Sequence, residues 1–209
     1  MSIIRNIYCV GRNYSQHAAE LGNDVPTSPM FFSKPTHALV EATGQAISLP
    51  GNRGDVHYEA EFVIRIGKPY AVGMKAEDVI DAIGLGIDFT LRDVQSELKK
   101  KGHPWLLAKG FPNSAVITRM LPFPGMDVCE RTEFSLLING ERVQHATIRE
   151  MIFDLQTILD FAATHYGIGE GDLIYTGTPA GVGASAHGDR MQLFWGDELL
   201  GECTLHMEN

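Results

Sequence analysis

The sequence predicts an α+β fold, and three observations carry that reading. Short runs rich in β-branched and aromatic residues outnumber the stretches with helical spacing. Gly, Asn and Asp turns punctuate the chain. Strands and helices do not alternate in the regular series that builds a doubly wound parallel sheet. A chain of 209 residues suits one domain or two small ones, with a sizeable core.

Asn6 to Val10 read as a strand ending at Gly11-Arg12-Asn13-Tyr14, after which Ser15 caps a helix from Gln16 to Leu21. Phe31-Phe32 lead into Ser33-Lys34-Pro35, which is extended because the residue before proline avoids the helical region. Gly51 to Asp55 is turn chemistry, and His57 to Ile66 read as one strand. Lys75 to Ala82 have helical spacing, Ile83 to Phe89 form an apolar run typical of a buried strand, and Leu91 to Lys101 are helical until Gly102 and Pro104. Phe134 to Ile138 and Arg142 to His145 flank Asn139-Gly140, the strongest two-residue hairpin signal. Asp154 caps a helix with Leu155, Ile158, Leu159 and Ala162 along one side. Leu173 to Thr176, Met191 to Trp195 and Gly201 to Met207 are strands, with Gly196-Asp197 as a turn.

Composition removes several function classes. With 17 Lys and Arg against 26 Asp and Glu, the net charge is −9, and the longest basic stretch is Lys99-Lys100-Lys101, so nucleic acid is not the expected partner. An anionic substrate would need local cations, because the global field repels it. No stretch approaches the roughly 18 apolar residues of a membrane span, and the N-terminal residues lack a secretory pattern. Three scattered cysteines read as reduced thiols, which fits a cytoplasmic protein. The eight histidines form no HxH or HxxxH pair, and there is no GxSxG, GxxxxGK[ST] or helix-leading GxGxxG.

The chemistry concentrates in a few residues. Along a strand Glu59 and Glu61 share a face, roughly 7 Å apart at Cα. Two such carboxylates beside an apolar run are tolerable if protonated, solvated, matched by a cation such as Arg65, or bound to a divalent ion. Hard oxygen ligands suit Mg²⁺, Mn²⁺ or Ca²⁺. Asp88 ends the apolar run where a buried strand delivers a side chain to a site edge, or else caps the next helix in a salt bridge with Arg92. Arg92 and Gln95 share one helix face, with an Arg able to clamp a carboxylate and an amide able to hydrogen-bond an oxygen. Lys109, after Leu106-Leu107-Ala108, either reaches solvent or meets a carboxylate. His17 and Glu20 share a helix face, an arrangement for an oriented general base and also one common on exposed helices. Thr176-Gly177-Thr178-Pro179 make a turn whose amides and Thr178 hydroxyl could hold a carboxylate, or which is only a turn.

In this order, Gly11-Arg12-Asn13-Tyr14 with His17 and Glu20, Ser33-Lys34-Pro35, His57-Tyr58-Glu59-Ala60-Glu61, Asp88 to Gln95, Pro104-Trp105 to Lys109, and Gly171 through Thr178 to Gly183 resemble the fumarylacetoacetate hydrolase family. The resemblance is closest to its small single-domain acylpyruvases and oxaloacetate decarboxylases. It implies one catalytic domain over 1–209, built as a mixed β-sandwich or roll with peripheral helices, with 12–25 as a mobile lid. It further implies Mg²⁺ or Mn²⁺ on Glu59, Glu61 and Asp88, catalysis by His17, Glu20 and Lys109, and substrate contacts from Arg12, Arg92, Gln95 and Thr178. The implied substrate is a small anionic β-dicarbonyl or α-keto acid, cleaved at C3–C4, decarboxylated or tautomerised by a homodimer. A dienedioate isomerase of aromatic catabolism and a non-catalytic metal-dependent binding protein stay open as alternatives. Tyr58 stands where relatives often carry histidine, and by strand parity its effect falls on packing.

Overall fold

A computed structural model describes residues 4–15 and 26–208. The helix expected from Gln16 to Leu21, with His17 and Glu20, lies outside the described residues. So does most of the lid expected over 12–25.

The larger of three sheets runs in the order β2 (Met30–Lys34), β1 (Ile7–Gly11), β13 (Leu173–Tyr175), β6 (Ala60–Ile66), β7 (Ile80–Asp88), β9 (Ala115–Ile117) and β3 (Leu39–Glu41), with β10 (Leu121–Pro122) paired to β7. A second sheet runs β12 (Glu141–Ala146), β11 (Phe134–Ile138), β15 (Arg190–Trp195), β16 (Glu198–Glu208) and β4 (Thr43–Pro50). A small third sheet joins β14 (Gly183–Ala184), β5 (Val56–Tyr58) and β8 (Thr90–Leu91). The helices are α1 (Ala76–Val79), α2 (Arg92–Lys101), α3 (Leu106–Lys109), α4 (Met126–Arg131) and α5 (Leu155–His165). The two larger sheets are mixed, with β1–β13, β3–β9 and β16–β4 parallel, and the remaining pairs, including all of the third sheet, are antiparallel. This is the α+β fold the sequence predicts. No helix among the described residues is long and apolar enough to cross a membrane.

Alternation along the strands sorts side chains onto two faces of the large sheet. On one, Phe62, Ile64, Ile83, Leu85 and Ile87 enter the main core, where the Phe62 ring lies 6.5 Å from Phe134 and 5.4 Å from Trp195 of the second sheet. On the other, Ile7, Cys9, Val63, Ala115 and Tyr175 form a smaller cluster. Gly86 also faces this smaller cluster, because a Cβ there would stand 2.4 Å from Tyr175 Cε1 and 2.7 Å from the Val116 carbonyl. The glycines in the Ile83 to Ile87 run are thus room for neighbours.

Local signals held where the chain acts alone. Asn139 and Gly140 take φ of 53° and 88°, as the tight hairpin turn requires, and Asp154 caps α5 by accepting from Thr157 N–H at 2.8 Å. Two expectations need correction. The helix over Lys75 to Ala82 is one turn, because Ile80 and Ala82 pair with Ile66 and Arg65 in the sheet. The strand over His57 to Ile66 breaks at Glu59, where the chain leaves the small sheet for the large one.

Candidate active site

That break places the first carboxylate. Glu59 is the residue between β5 and β6, and its carbonyl accepts from Asp88 N–H at 2.8 Å, so the two acids are neighbours across the strand pair. Glu61 pairs in register with Gly86, two residues before Asp88 on the same face. One oxygen from each of Glu59, Glu61 and Asp88 lies within 4.8 Å of the others, and all three residues are buried.

Two buried lysines and an arginine answer these acids. Lys109, the last residue of α3 and 2 % exposed, donates to Glu59 Oε2 at 2.8 Å, Asp88 Oδ2 at 2.6 Å and Thr90 Oγ1 at 2.7 Å. Burial alone would lower its pKa, but Asp88 and Glu59 outweigh it and hold the ammonium charged well above the usual lysine range. Lys34 of β2 places Nζ 2.7 Å from Asp88 Oδ1 and donates to the carbonyls of Phe89, at 3.1 Å, and Lys109. Burial pushes its pKa down, against the pull of Asp88. Arg92 opens α2 with Nη2 on Glu59 Oε1 and Nη1 donating to Gln95 Oε1 at 2.8 Å.

Glu61 has no such partner. It accepts from Gly177 N–H at 2.8 Å, and no Lys or Arg among the described residues lies within ion-pair distance. Burial first, then the charges of Asp88 and Glu59, raise its pKa well above the carboxylate range. Asp88 Oδ1 is buried and receives no well-aligned hydrogen bond, although Lys34 stands beside it. Crowded, incompletely satisfied carboxylate oxygens are the donor set that a hard divalent cation completes, so the residues fit such an ion.

The cleft over these acids is lined by Arg12, Arg92, Gln95, Lys99, Lys109 and Thr178, with apolar side chains between them. Arg12 holds a left-handed φ of 58°, a conformation costing a non-glycine residue about 1–2 kcal/mol. Its neighbour fixes it there: buried Asn13 donates to Phe153 O at 3.1 Å and Thr176 O at 2.8 Å and accepts from Phe153 N–H. Gly177 leaves space for Asn13, since a Cβ would come within 2.7 Å of Asn13 Cβ. Thr178 spends its hydroxyl proton on Ala60 O at 2.8 Å and accepts from Gln144 Nε2 at 2.9 Å.

The structure thus brings together Arg12, Glu59, Glu61, Asp88, Arg92, Gln95, Lys109 and Thr178, while His17 and Glu20 lie outside the described residues. Arg65 is not the counter-ion: it pairs with Asp81 at 2.8 and 2.9 Å. Nor does Asp88 cap α2, whose first turn follows Leu91 without a side-chain cap. Tyr58 is buried in the main core, as strand parity predicts. Sequence reasoning missed Lys34, Thr90 and Gln144 as site residues. The available signal for Lys34 was a lysine just before proline at the end of an aromatic strand.

A family model described as fumarylacetoacetate (FAA) hydrolase C-terminal matches residues 6–205. The chain is 36% identical over 193 residues to oxaloacetate tautomerase YcgM of Escherichia coli K12, covering 90% of this chain and 87% of that protein. It is 38% identical over 182 residues to a mitochondrial oxaloacetate decarboxylase of Dictyostelium discoideum, covering 86% and 83%. Among solved structures, fumarylpyruvate hydrolase of Pseudomonas aeruginosa in complex with Mn²⁺ and pyruvate superposes with a TM-score of 0.90 at 34% identity, covering 98% of this chain and 91% of that one.

Proposed function

The chain belongs to the fumarylacetoacetate hydrolase family, and from that premise we propose that it is a divalent-metal-dependent enzyme acting through the enolate of a 2-oxo acid. The reading takes oxaloacetate, by tautomerisation or decarboxylation, and acylpyruvates, by hydrolysis at C3–C4, as its substrates. The observation that carries it is the buried set Glu59, Glu61 and Asp88, with one oxygen of each within 4.8 Å, under a cleft that Lys109 also lines. Mg²⁺ or Mn²⁺ serves as the cation in this proposal, and the working form is a cytoplasmic homodimer.

A divalent cation held by Glu59, Glu61 and Asp88 would supply Lewis-acid polarisation of the 2-keto oxygen and a sink for enolate charge. The chain's own residues do the rest. Lys109 sets its ammonium, whose charged form Asp88 and Glu59 favour, at a wall closed to water, where it can face developing negative charge. Arg92 is held in one orientation by Glu59 and Gln95, and Gln95, whose Oε1 is occupied, turns its amide N–H groups to a substrate oxygen. For an acylpyruvate, His17 takes a proton from water as the oxygen adds at C4, Glu20 orients the imidazole, and breaking C3–C4 leaves the pyruvate enolate to be protonated at C3. For oxaloacetate, C4 departs as carbon dioxide, or only a proton moves between C3 and the keto oxygen, and no water is consumed.

The test follows enol decay and decarboxylation of oxaloacetate, and acetylpyruvate cleavage, with Mg²⁺ or Mn²⁺. Glu59→Ala and Asp88→Ala should abolish all three, and His17→Ala should reduce hydrolysis far more than decarboxylation. Turnover by either carboxylate variant at the rate of the metal-loaded wild type, or wild-type turnover that survives chelation, would discard the reading.

A further inference from the structure

Glu61 and Asp88 ride on the large sheet and Glu59 stands at its entrance, yet a buried side chain of the second sheet reaches the same strand. It is Gln144 of β12, and a break in the ladder puts it there. Ile138 and Leu137 of β11 pair with Glu141 and Arg142, but Leu136 pairs with Gln144, so Val143 is the extra residue of a β-bulge. Leu136 enters the main core, and residues opposite each other in a ladder share a face, so the bulge turns Gln144 inward. Unbroken pairing would give that place to Val143, an apolar residue suited to a core. Gly181 matches the bulge from the other side: its φ is 95°, and a Cβ there would stand 2.2 Å from the Val143 carbonyl.

A primary amide that is 1 % exposed is costly unless its polar groups are bonded, and those of Gln144 are. Its Oε1 accepts from Ala60 N–H at 2.8 Å, and its Nε2 donates to Thr178 Oγ1 at 2.9 Å and Pro179 O at 3.0 Å. The partners fix which end is oxygen, because a backbone N–H only donates and a carbonyl only accepts. Ala60 is the residue between Glu59 and Glu61. The Glu59–Ala60 peptide is therefore held at both ends, its carbonyl by Asp88 N–H at 2.8 Å and its N–H by Gln144. The next peptide is held through Ala60 O, which accepts from the Thr178 hydroxyl at 2.8 Å. Gln144 thus closes a ring of hydrogen bonds around the residue that sets the spacing of the two acids. The neighbouring strand β13 pairs with β6 only from Val63 onward, so the amide stands in for a ladder bond at Ala60.

We propose that Gln144 is a positioning residue for the divalent-cation site, holding the Glu59–Ala60–Glu61 backbone so that both carboxylates meet one ion together with Asp88. This rests on the function proposed for that site. An alkyl side chain in its place leaves Ala60 N–H, the Thr178 hydroxyl oxygen and Pro179 O without this partner. The peptide before Ala60 then has one fixed end instead of two, and its rotation swings Glu59 away from Glu61 although no ligand atom is removed.

The experiment measures Mn²⁺ affinity of the full chain by calorimetry, and the electron paramagnetic resonance spectrum of the bound ion, whose shape follows ligand symmetry. Gln144→Leu removes the amide, and Gln144→Asn keeps one that is a methylene too short to span Ala60 and the turn. Leu193→Ala is the control, a core truncation in the same sheet two strands from Gln144. The expected result is affinity about tenfold weaker in Gln144→Leu and severalfold weaker in Gln144→Asn, both with an altered spectrum. Leu193→Ala should keep the wild-type affinity and spectrum. Wild-type affinity in a folded Gln144→Leu, or equal losses in all three variants, would overturn the positioning role. If Gln144→Leu does not fold, Gln144→Asn decides, and failure of both to fold overturns the role in favour of a purely structural one. If the Gln144 variants bind Mn²⁺ like a wild type that turns over oxaloacetate, the role falls and the function stands. If they lose Mn²⁺ as expected but the wild type turns over neither oxaloacetate nor acetylpyruvate, the role stands and the function falls.

Discussion

The two faces of the large sheet are made by the same strands, yet they solve opposite problems. One face of β6 and β7 buries Phe62, Ile64, Ile83, Leu85 and Ile87 against the second sheet. The other, one residue out of phase, carries Glu61 and Asp88 to the end of a cluster that also holds Cys9, Val63 and Tyr175. Apolar burial needs only area removed from water. The charged face must compensate each carboxylate with a placed cation or hydrogen bond, or leave it under stress. Glu59 and Asp88 are compensated by Arg92, Lys109 and Lys34, and Glu61, among the described residues, only by an amide. The difference shows where the sheet stores stability and where it holds a place for a ligand.

The largest effects should come from removing one anchor on each face. Phe62→Ala opens a cavity between the sheets and should cost about 3–5 kcal/mol. Lys109→Met strips Glu59, Asp88 and Thr90 of a shared partner and should cost about 3–5 kcal/mol in chelating buffer. Urea denaturation with and without Mn²⁺ separates them: added Mn²⁺ should recover part of the loss in Lys109→Met and give Phe62→Ala no more than it gives the wild type. Equal recovery by both would mean that the two faces are not energetically distinct.

A smaller effect sharpens the contrast within the charged face. At a hundredfold excess over its dissociation constant, a cation that binds only the folded wild type should stabilise it by about 2.7 kcal/mol. In Glu61→Gln most of that gain should vanish, while the metal-free variant is at least as stable as the wild type because a crowded carboxylate is gone. Thermal denaturation with and without Mn²⁺ reads both quantities. A variant that gains as much from the ion as the wild type would remove Glu61 from the donor set.

How much of this was legible in the sequence follows from the range of each interaction. Glu59, Glu61 and Asp88 stand out as candidates because strand parity and an apolar run are local patterns, although only the family resemblance joins them into one metal set; the Asn139-Gly140 hairpin is local in the same sense. The break at Glu59 was not legible. Its β propensity is continuous from His57 to Ile66, and the change of partner is decided by β8 and β14, far along the chain. Lys34 belongs to the Ser33-Lys34-Pro35 motif, but its place in the site is not local, because nothing near Phe31-Phe32-Ser33 reveals that the β1–β2 pairing lays it against Asp88. Arg65 failed as a counter-ion for the same reason, since Asp81 reaches it through the sheet register.

The mildest probe asks whether the packing of the charged face and its acidic end are one unit. Gly86→Ala places a methyl on that face 2.4 Å from Tyr175 Cε1, and Tyr175 cannot swing aside without giving up its 2.7 Å hydrogen bond to the Val116 carbonyl, itself 2.7 Å from the new atom. Neither neighbour is a flexible chain end, so β7 or β13 must shift, at about 1–3 kcal/mol. Asp88 lies two residues further along the same face and opposite Ala115, so a displaced β7 moves its carboxylate away from Glu61. The expected outcome is a modest loss of stability together with Mn²⁺ affinity weakened severalfold. The same loss of stability with unchanged affinity would mean that the hydrogen bonds of Lys34 and Lys109 hold Asp88 independently of the strand that carries it.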